Sequence, residues 1–190
     1  NLNNLFSKIA TIKISLKLSS VSFITLFILL GCENEKNESI EPDKIDLLFI
    51  ASEGNFGEGN GSISVFNNDQ KIQEILDIGD VVQSILVHED HLFVIVNGSN
   101  EIKRYSISES GLTLPGITIP TQNSSPREMI IFNEKLYFTN WNSKDIKILS
   151  LTTYAITEQI SVYGLPEDII SDGTFLYASV PHIELYDQGN

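Results

Sequence analysis

The chain has 190 residues, 42% of them apolar and 19% charged, a balance that belongs to a folded domain rather than a disordered tail. Its 25 acidic residues outnumber 12 basic ones for a formal charge of −13, a field that repels nucleic acid and anionic lipid, and no basic patch offsets it. Cys32 is the only cysteine, so no disulfide can form within the chain.

Residues 1–31 read as a leader. Lys8, Lys13 and Lys17 precede an uncharged, largely apolar run over residues 18–30. That run is shorter than the roughly 20 residues a spanning helix needs, which favours a cleaved signal peptide. The run ends in Leu29-Leu30-Gly31-Cys32, which resembles the lipobox of bacterial lipoproteins. The resemblance implies a diacylated Cys32 as the first residue of the mature protein; the other reading is a signal peptide whose cleavage merely falls near a cysteine. Two or three acyl chains on one residue anchor stably where one chain is marginal. Loss of the leader removes three lysines and no acid, leaving 9 basic against 25 acidic residues, a formal charge of −16.

Residues 32–43 form an acidic tether (Glu33, Glu35, Glu38, Glu41 and Asp43) almost without apolar side chains, and such a stretch cannot bury enough surface to fold. An acidic run after the acylated cysteine resembles the surface-export signal of Bacteroidota-type lipoproteins, which implies an outer-membrane lipoprotein exposed at the cell surface. The alternative is a solvated linker.

From residue 44 onward, pairs of short apolar runs separated by polar turns repeat along the chain. Leu48, Leu92, Leu136 and Leu176 each open the second run of a pair and stand 44, 44 and 40 residues apart. A period of about 40 to 50 residues carrying only strands predicts an all-β fold, a β-propeller of four-stranded blades. With strands a to d counted from the central channel outward, blade one (about 44–78) begins at strand b, with strands at 45–51, 61–66 and 72–78. Blade two (82–119) has all four, at 82–87, 92–96, 101–106 and 112–119. Blade three (126–162) repeats them at 127–132, 136–140, 145–150 and 155–162. Blade four (166–190) starts at Glu167, continues through 175–180 and stops within Ile183-Glu184-Leu185-Tyr186.

The partial propeller over 44–190 thus holds about three and a half blades. A closed ring needs about 4 to 8, so the expected protein is about twice this length with seven blades, unless a second copy completes the ring.

Tyr137-Phe138-Thr139-Asn140 resembles the Tyr-Val-Thr-Asn motif of the YVTN/YncE-like family of seven-bladed propellers. The preceding frame Pro-x-x-Ile appears as Pro126-Arg127-Glu128-Met129 and Pro166-Glu167-Asp168-Ile169. Glu53-Gly54-Asn55-Phe56-Gly57 and Gly61-Ser62-Ile63-Ser64 resemble the opening blade of surface-layer-like lipoproteins of Bacteroidota. The likeness runs from about Lys44 to Tyr186. It departs at Phe49-Ile50-Ala51-Ser52 and Phe93-Val94-Ile95-Val96, which replace the motif's core.

Topology gathers the d-to-a and b-to-c connections on one rim of the ring, called upper here. Phe56, Asn97, Asn100, Arg127, Trp141, Asn142 and Glu167 fall there and are the candidate ligand-binding residues. Trp141 and Phe56 carry flat apolar faces, the asparagines carry paired donors and acceptors, and a guanidinium suits a carboxylate or phosphate. Asparagine is equally a turn former that tolerates positive φ, and Trp141 equally suits the cover of a blade edge. The glycine-rich segment 54–61 lacks both the lysine of a P-loop and a following helix, so it reads as a long flexible turn rather than a phosphate cradle.

No catalytic constellation is legible. His88-x-x-His91 has metal-ligand spacing, yet with Glu89 and Asp90 between its ends it also reads as a solvated hairpin tip. No pattern calls for a cofactor. The expected function is non-catalytic capture of a corrinoid, glycan or peptide beside an outer-membrane TonB-dependent receptor, since relatives that the chain resembles capture corrinoids. The alternative is a lactonase-like hydrolase or a quinone-dependent oxidoreductase.

Overall fold

The computed structural model describes residues 46–181; the leader, Cys32, the tether, His182 and the run 183–186 lie outside the described residues. Within them are strands and turns and no helix. The first sheet holds β1 (Leu47–Ser52), β2 (Ser62–Asn67) and β3 (Gln70–Ile75). The second holds β4 (Val82–His88), β5 (His91–Val96), β6 (Glu101–Ser108) and β7 (Gly111–Pro120). In the third are β8 (Pro126–Phe132), β9 (Lys135–Asn140), β10 (Asp145–Ser150) and β11 (Ile156–Ser161), and β12 (Ile169–Ser171) pairs with β13 (Leu176–Ala178). Every strand pairs antiparallel with its sequence neighbour, as short connections require.

The reason the middle blade reads as an unbroken apolar run is visible in β5. Successive side chains of a strand point to opposite faces, and both faces of this sheet are covered. Leu92, Val94 and Val96 pack with Ile63, Val65 and Val82 between blades one and two. Phe93 and Ile95 pack with Met129, Leu136 and Phe138 between blades two and three. β1 shows the contrast. Leu47, Phe49 and Ala51 lie against blade two, whereas Leu48 and Ile50 are 54% and 44% exposed. Their counterparts 44 residues on, Leu92 and Val94, are fully buried, because a blade lies on that side of β5 and none lies on that side of β1 among the described residues.

Several strands differ from their predicted bounds by one to three residues, among them β12, which begins at Ile169 rather than Glu167, and two of them show the cause. Strand d of blade one is Gln70–Ile75 rather than 72–78. The Asn68-Asp69 turn, with Asn68 at φ 50, starts the pairing at once with Asn67 opposite Gln70. Ile78 instead leaves the ladder, donates its N–H to Gly61 O at 2.9 Å and buries its side chain in the first core cluster. In blade four β13 spans Leu176–Ala178 rather than 175–180. There the Asp172 carboxylate accepts the N–H groups of Thr174 and Phe175, each at 2.8 Å, which holds Phe175 in the turn. The Tyr177 hydroxyl donates to the same carboxylate at 2.7 Å and, with those backbone bonds, keeps its pKa below the ordinary value.

Candidate functional site

The innermost strands of three successive blades are bulged at their upper ends. In β4, Val82 pairs with Val96 and the next pair is Ser84 with Ile95, which leaves Gln83 unpaired. In β8, Pro126 pairs with Asn140 and the next pair is Met129 with Phe138, so Arg127 and Glu128 together oppose Thr139. Ahead of β12, Glu167 and Asp168 both bond the backbone of Ser179. A bulge interrupts alternation and re-aims side chains. Here it turns equivalent residues of neighbouring blades toward one another.

Gln83, Arg127 and Glu167 form one row. The Arg127 guanidinium donates from Nη1 to Gln83 Oε1 at 2.8 Å, from Nη2 to Glu167 Oε1 at 2.7 Å and from Nε to Glu167 Oε2 at 3.1 Å. Below it Ser84 donates to Glu128 Oε1 at 2.5 Å, and that oxygen also accepts the Met129 N–H at 2.8 Å. The Thr139 hydroxyl donates to the Glu167 carbonyl at 2.7 Å and accepts from the Glu128 N–H at 3.1 Å, which locks the bulge of blade three to the head of blade four. The guanidinium carbon lies 4.1 Å from the centroid of the Trp141 ring, a cation–π contact. The Trp141 N–H of the backbone bonds Ser125 O at 3.0 Å, and its indole Nε1 is sealed from solvent with no acceptor.

This arrangement changes what each group offers. Glu167 already occupies the fork of Arg127, so an incoming carboxylate or phosphate must compete with a tethered one. The guanidinium, and not solvent, covers the near face of Trp141. Arg127 keeps 19% of its side-chain surface exposed. With Trp141 on one face and Glu167 and Gln83 at its edges, three of its five N–H bonds are used and two are left.

The other predicted residues are placed differently. Asn97 donates to Ser125 Oγ at 3.0 Å and Pro126 O at 2.7 Å, and Asn100, at φ 56, accepts the Ser125 N–H at 2.8 Å. Both staple the turn of blade two to the entry of blade three. Asn142 is exposed and reaches Asn123 O at 3.4 Å. Phe56 is 87% exposed on the glycine-rich turn. That turn is tied down rather than loose: Asn60 Oδ1 accepts the Asn55 N–H and Asp80 Oδ1 the Gly57 N–H, both at 2.7 Å. Strand β2 follows it, and no helix N-terminus is there to hold phosphate.

The sequence places Glu128 on the upper rim beside Arg127 but gives no sign of Gln83 and Ser84, although these stand 44 residues before Arg127 and Glu128, the same spacing that located the strands. Asn140, the last residue of the Tyr-Phe-Thr-Asn motif, is fully buried. It accepts from Ser124 Oγ at 2.5 Å and donates to Asp145 Oδ1 at 3.0 Å, while Lys147 Nζ donates to Asp145 Oδ2 at 2.6 Å. The motif's asparagine therefore holds the b-to-c turn. At the opposite rim the His91 Nδ1 lies 2.8 Å from Asp90 Oδ1. Among the described residues no three His, Cys, Asp or Glu side chains gather as a metal ion requires.

No family model matches the sequence, and no curated protein matches it. Solved structures share its fold. A luciferin-regenerating enzyme superposes with a TM-score of 0.60 at 12% identity over 76% of this chain and 53% of its own. The Swd1 β-propeller domain of Myceliophteria thermophila gives 0.59 at 11% identity over 72% of this chain and 47% of its own. The WD40 β-propeller domain of Doa1 gives 0.52 at 16% identity over 68% and 46%. At such identities the likeness establishes architecture alone: the chain is a partial β-propeller of four-stranded antiparallel blades. It spans about half the length of these structures.

Proposed function

We propose that this chain belongs to a lipid-anchored, cell-surface β-propeller that captures a ligand without catalysis, on the upper rim around Arg127 and Trp141. The observation that carries the reading is the row Gln83–Arg127–Glu167 backed by Trp141, in which three bulged inner strands converge polar groups and one aromatic ring on a single spot. Few convergent polar groups beside an aromatic are what small-molecule sites need. The carboxylates of Glu128, Glu167 and Asp168 outnumber the one guanidinium at the heads of these strands, and the whole chain is strongly acidic. A neutral or cationic ligand fits this field better than an anion. A corrinoid, a neutral glycan and a peptide remain the ligand classes in view. The Leu29-Leu30-Gly31-Cys32 box supports attachment through Cys32, the acidic tether supports display beyond the outer membrane, and a TonB-dependent receptor is the fitting partner.

Trp141 is the only tryptophan, so tryptophan-selective fluorescence reads this rim alone. Titration with a corrinoid, a neutral glycan and a peptide panel is expected to change that emission saturably for one class, and Arg127→Met is expected to weaken the binding by about ten-fold or more, the equivalent of about 1.4 kcal/mol. Capture at this rim is refuted if none of the three classes binds, or if Arg127→Met binds as the parent does. Independently, metabolic labelling with a fatty acid should mark the parent and not Cys32→Ala; equal labelling would remove the anchor from the reading.

A further inference from the structure

On the outer wall of blade two, β6 and β7 part around one side chain. Pairing runs from Lys103 with Thr118 to Arg104 with Ile117 and resumes at Ser106 with Thr113. Leu114, Pro115 and Gly116 therefore stand opposite Tyr105 alone and bow away from the sheet. Under the bow is an open groove of about 460 Å³ lined by Lys103, Tyr105, Leu114, Pro115, Gly116 and Thr118, within the size range of small-molecule sites. Gly116 is needed for this shape, because a Cβ there would lie 2.6 Å from the Tyr105 ring carbons Cδ1 and Cε1.

The polar side chains of the lining are Tyr105, Lys103 and Thr118. Tyr105 is only 5% exposed and its ring belongs to the core between blades one and two. Among the described residues no group hydrogen-bonds its hydroxyl, that oxygen is not sealed from solvent, and Tyr105 lines the groove. Burial, and then the charge of Glu101, raise the phenol's pKa, which keeps the proton on it near neutrality. Lys103 Nζ donates to Thr118 Oγ1 at 3.2 Å and pairs with Glu101 Oε2 at 3.2 Å. An ammonium has three N–H bonds, so one is unspent. The apolar part of the lining is Leu114, which is exposed, and Pro115.

We propose that this groove is a second binding site, for a small apolar carboxylic acid. Its carboxylate takes the Tyr105 O–H and the free N–H of Lys103, and its hydrocarbon lies on Leu114, Pro115 and Gly116. An ionised acceptor makes a stronger hydrogen bond to that O–H than a neutral one does. Because Glu101 offsets the charge of Lys103, the carboxylate is held by the two local hydrogen bonds against the acidic field of the chain and not by a net positive charge, which disfavours a polyanion. It lies on the outer strands of blade two and does not depend on the rim cluster of the inner strands.

The test uses the full chain with 4-methylpentanoate and its amide, 4-methylpentanamide, as probes, followed by saturation-transfer NMR. Saturable binding of the acid is expected. Tyr105→Phe, which keeps the packed ring, should weaken it about five-fold, the scale of one hydrogen bond, and Lys103→Met should weaken it further. The amide should bind at least about five-fold more weakly than the acid, since only the acid forms charge-assisted bonds. Urea midpoints of both variants, unchanged from the parent, separate lost binding from lost fold. The proposal is overturned if the acid shows no saturable binding, if Tyr105→Phe binds it as the parent does, or if acid and amide bind alike.

Discussion

Leu92→Ala and Leu136→Ala are each expected to lower the unfolding free energy by about 2–5 kcal/mol, the range for emptying a fully buried leucine site. Leu48→Ala, at the equivalent position one repeat earlier, should cost no more than about 0.5 kcal/mol, the scale of surface substitutions. The three leucines share a place in the repeat and differ only in what covers them. Leu92 packs against Ile63 and Val65 across the first interface, Leu136 against Phe93 and Ile95 across the second, and Leu48 is more than half exposed. Chemical denaturation of the three variants beside the parent reads the difference. A cost at Leu48 equal to that at Leu92 would mean that the free face of blade one is covered in solution, by a further blade or by a second copy.

Lys147→Met should be comparably damaging, with a loss of about 3–5 kcal/mol, because it leaves a carboxylate in the interior without its counter-charge. Asp145 and Lys147 are each 3% exposed and face blade two on the same side of β10 as Leu149. Adding Asp145→Asn to Lys147→Met should restore much of the loss, since the amide oxygen still accepts from Asn140 Nδ2 and from Ser143 Oγ, bonds now made at 3.0 and 2.6 Å. Denaturant midpoints for the two single variants and the pair form the cycle. If Lys147→Met alone is neutral, the pair is not sealed from water as the burial indicates.

How much of this was legible before the fold was known depends on the kind of signal. Strand positions were, because alternation and turn residues are local: β9 begins within one residue of its expected start, and the pairing of His88 with His91 closes the hairpin whose tip was foreseen. Strand ends were not where a side chain competes with the ladder, as Asp172 does at Phe175. The upper rim was legible as a list of loop residues. Which of them meet was not, since Arg127, Glu167 and Gln83 converge only because each inner strand carries a bulge. Nor could turn residues be told from site residues: Asn97 and Asn100 turned out to staple one blade to the next, and Trp141 turned its face to Arg127 rather than to solvent.

By itself the amino-acid order determined the repeat: how many strands each described blade carries, roughly where they lie, and which of their positions are apolar, all of which follow from the two-residue period of extended backbone and the turn residues between. Only the packing of one sheet on the next decided whether a given leucine is core or surface, whether an arginine is free or already paired, and where a tyrosine hydroxyl finds open space. For Leu92 and Arg127 those outcomes depend on residues 27 to 44 positions away, which no local pattern encodes and which only the stacking of blades brings together.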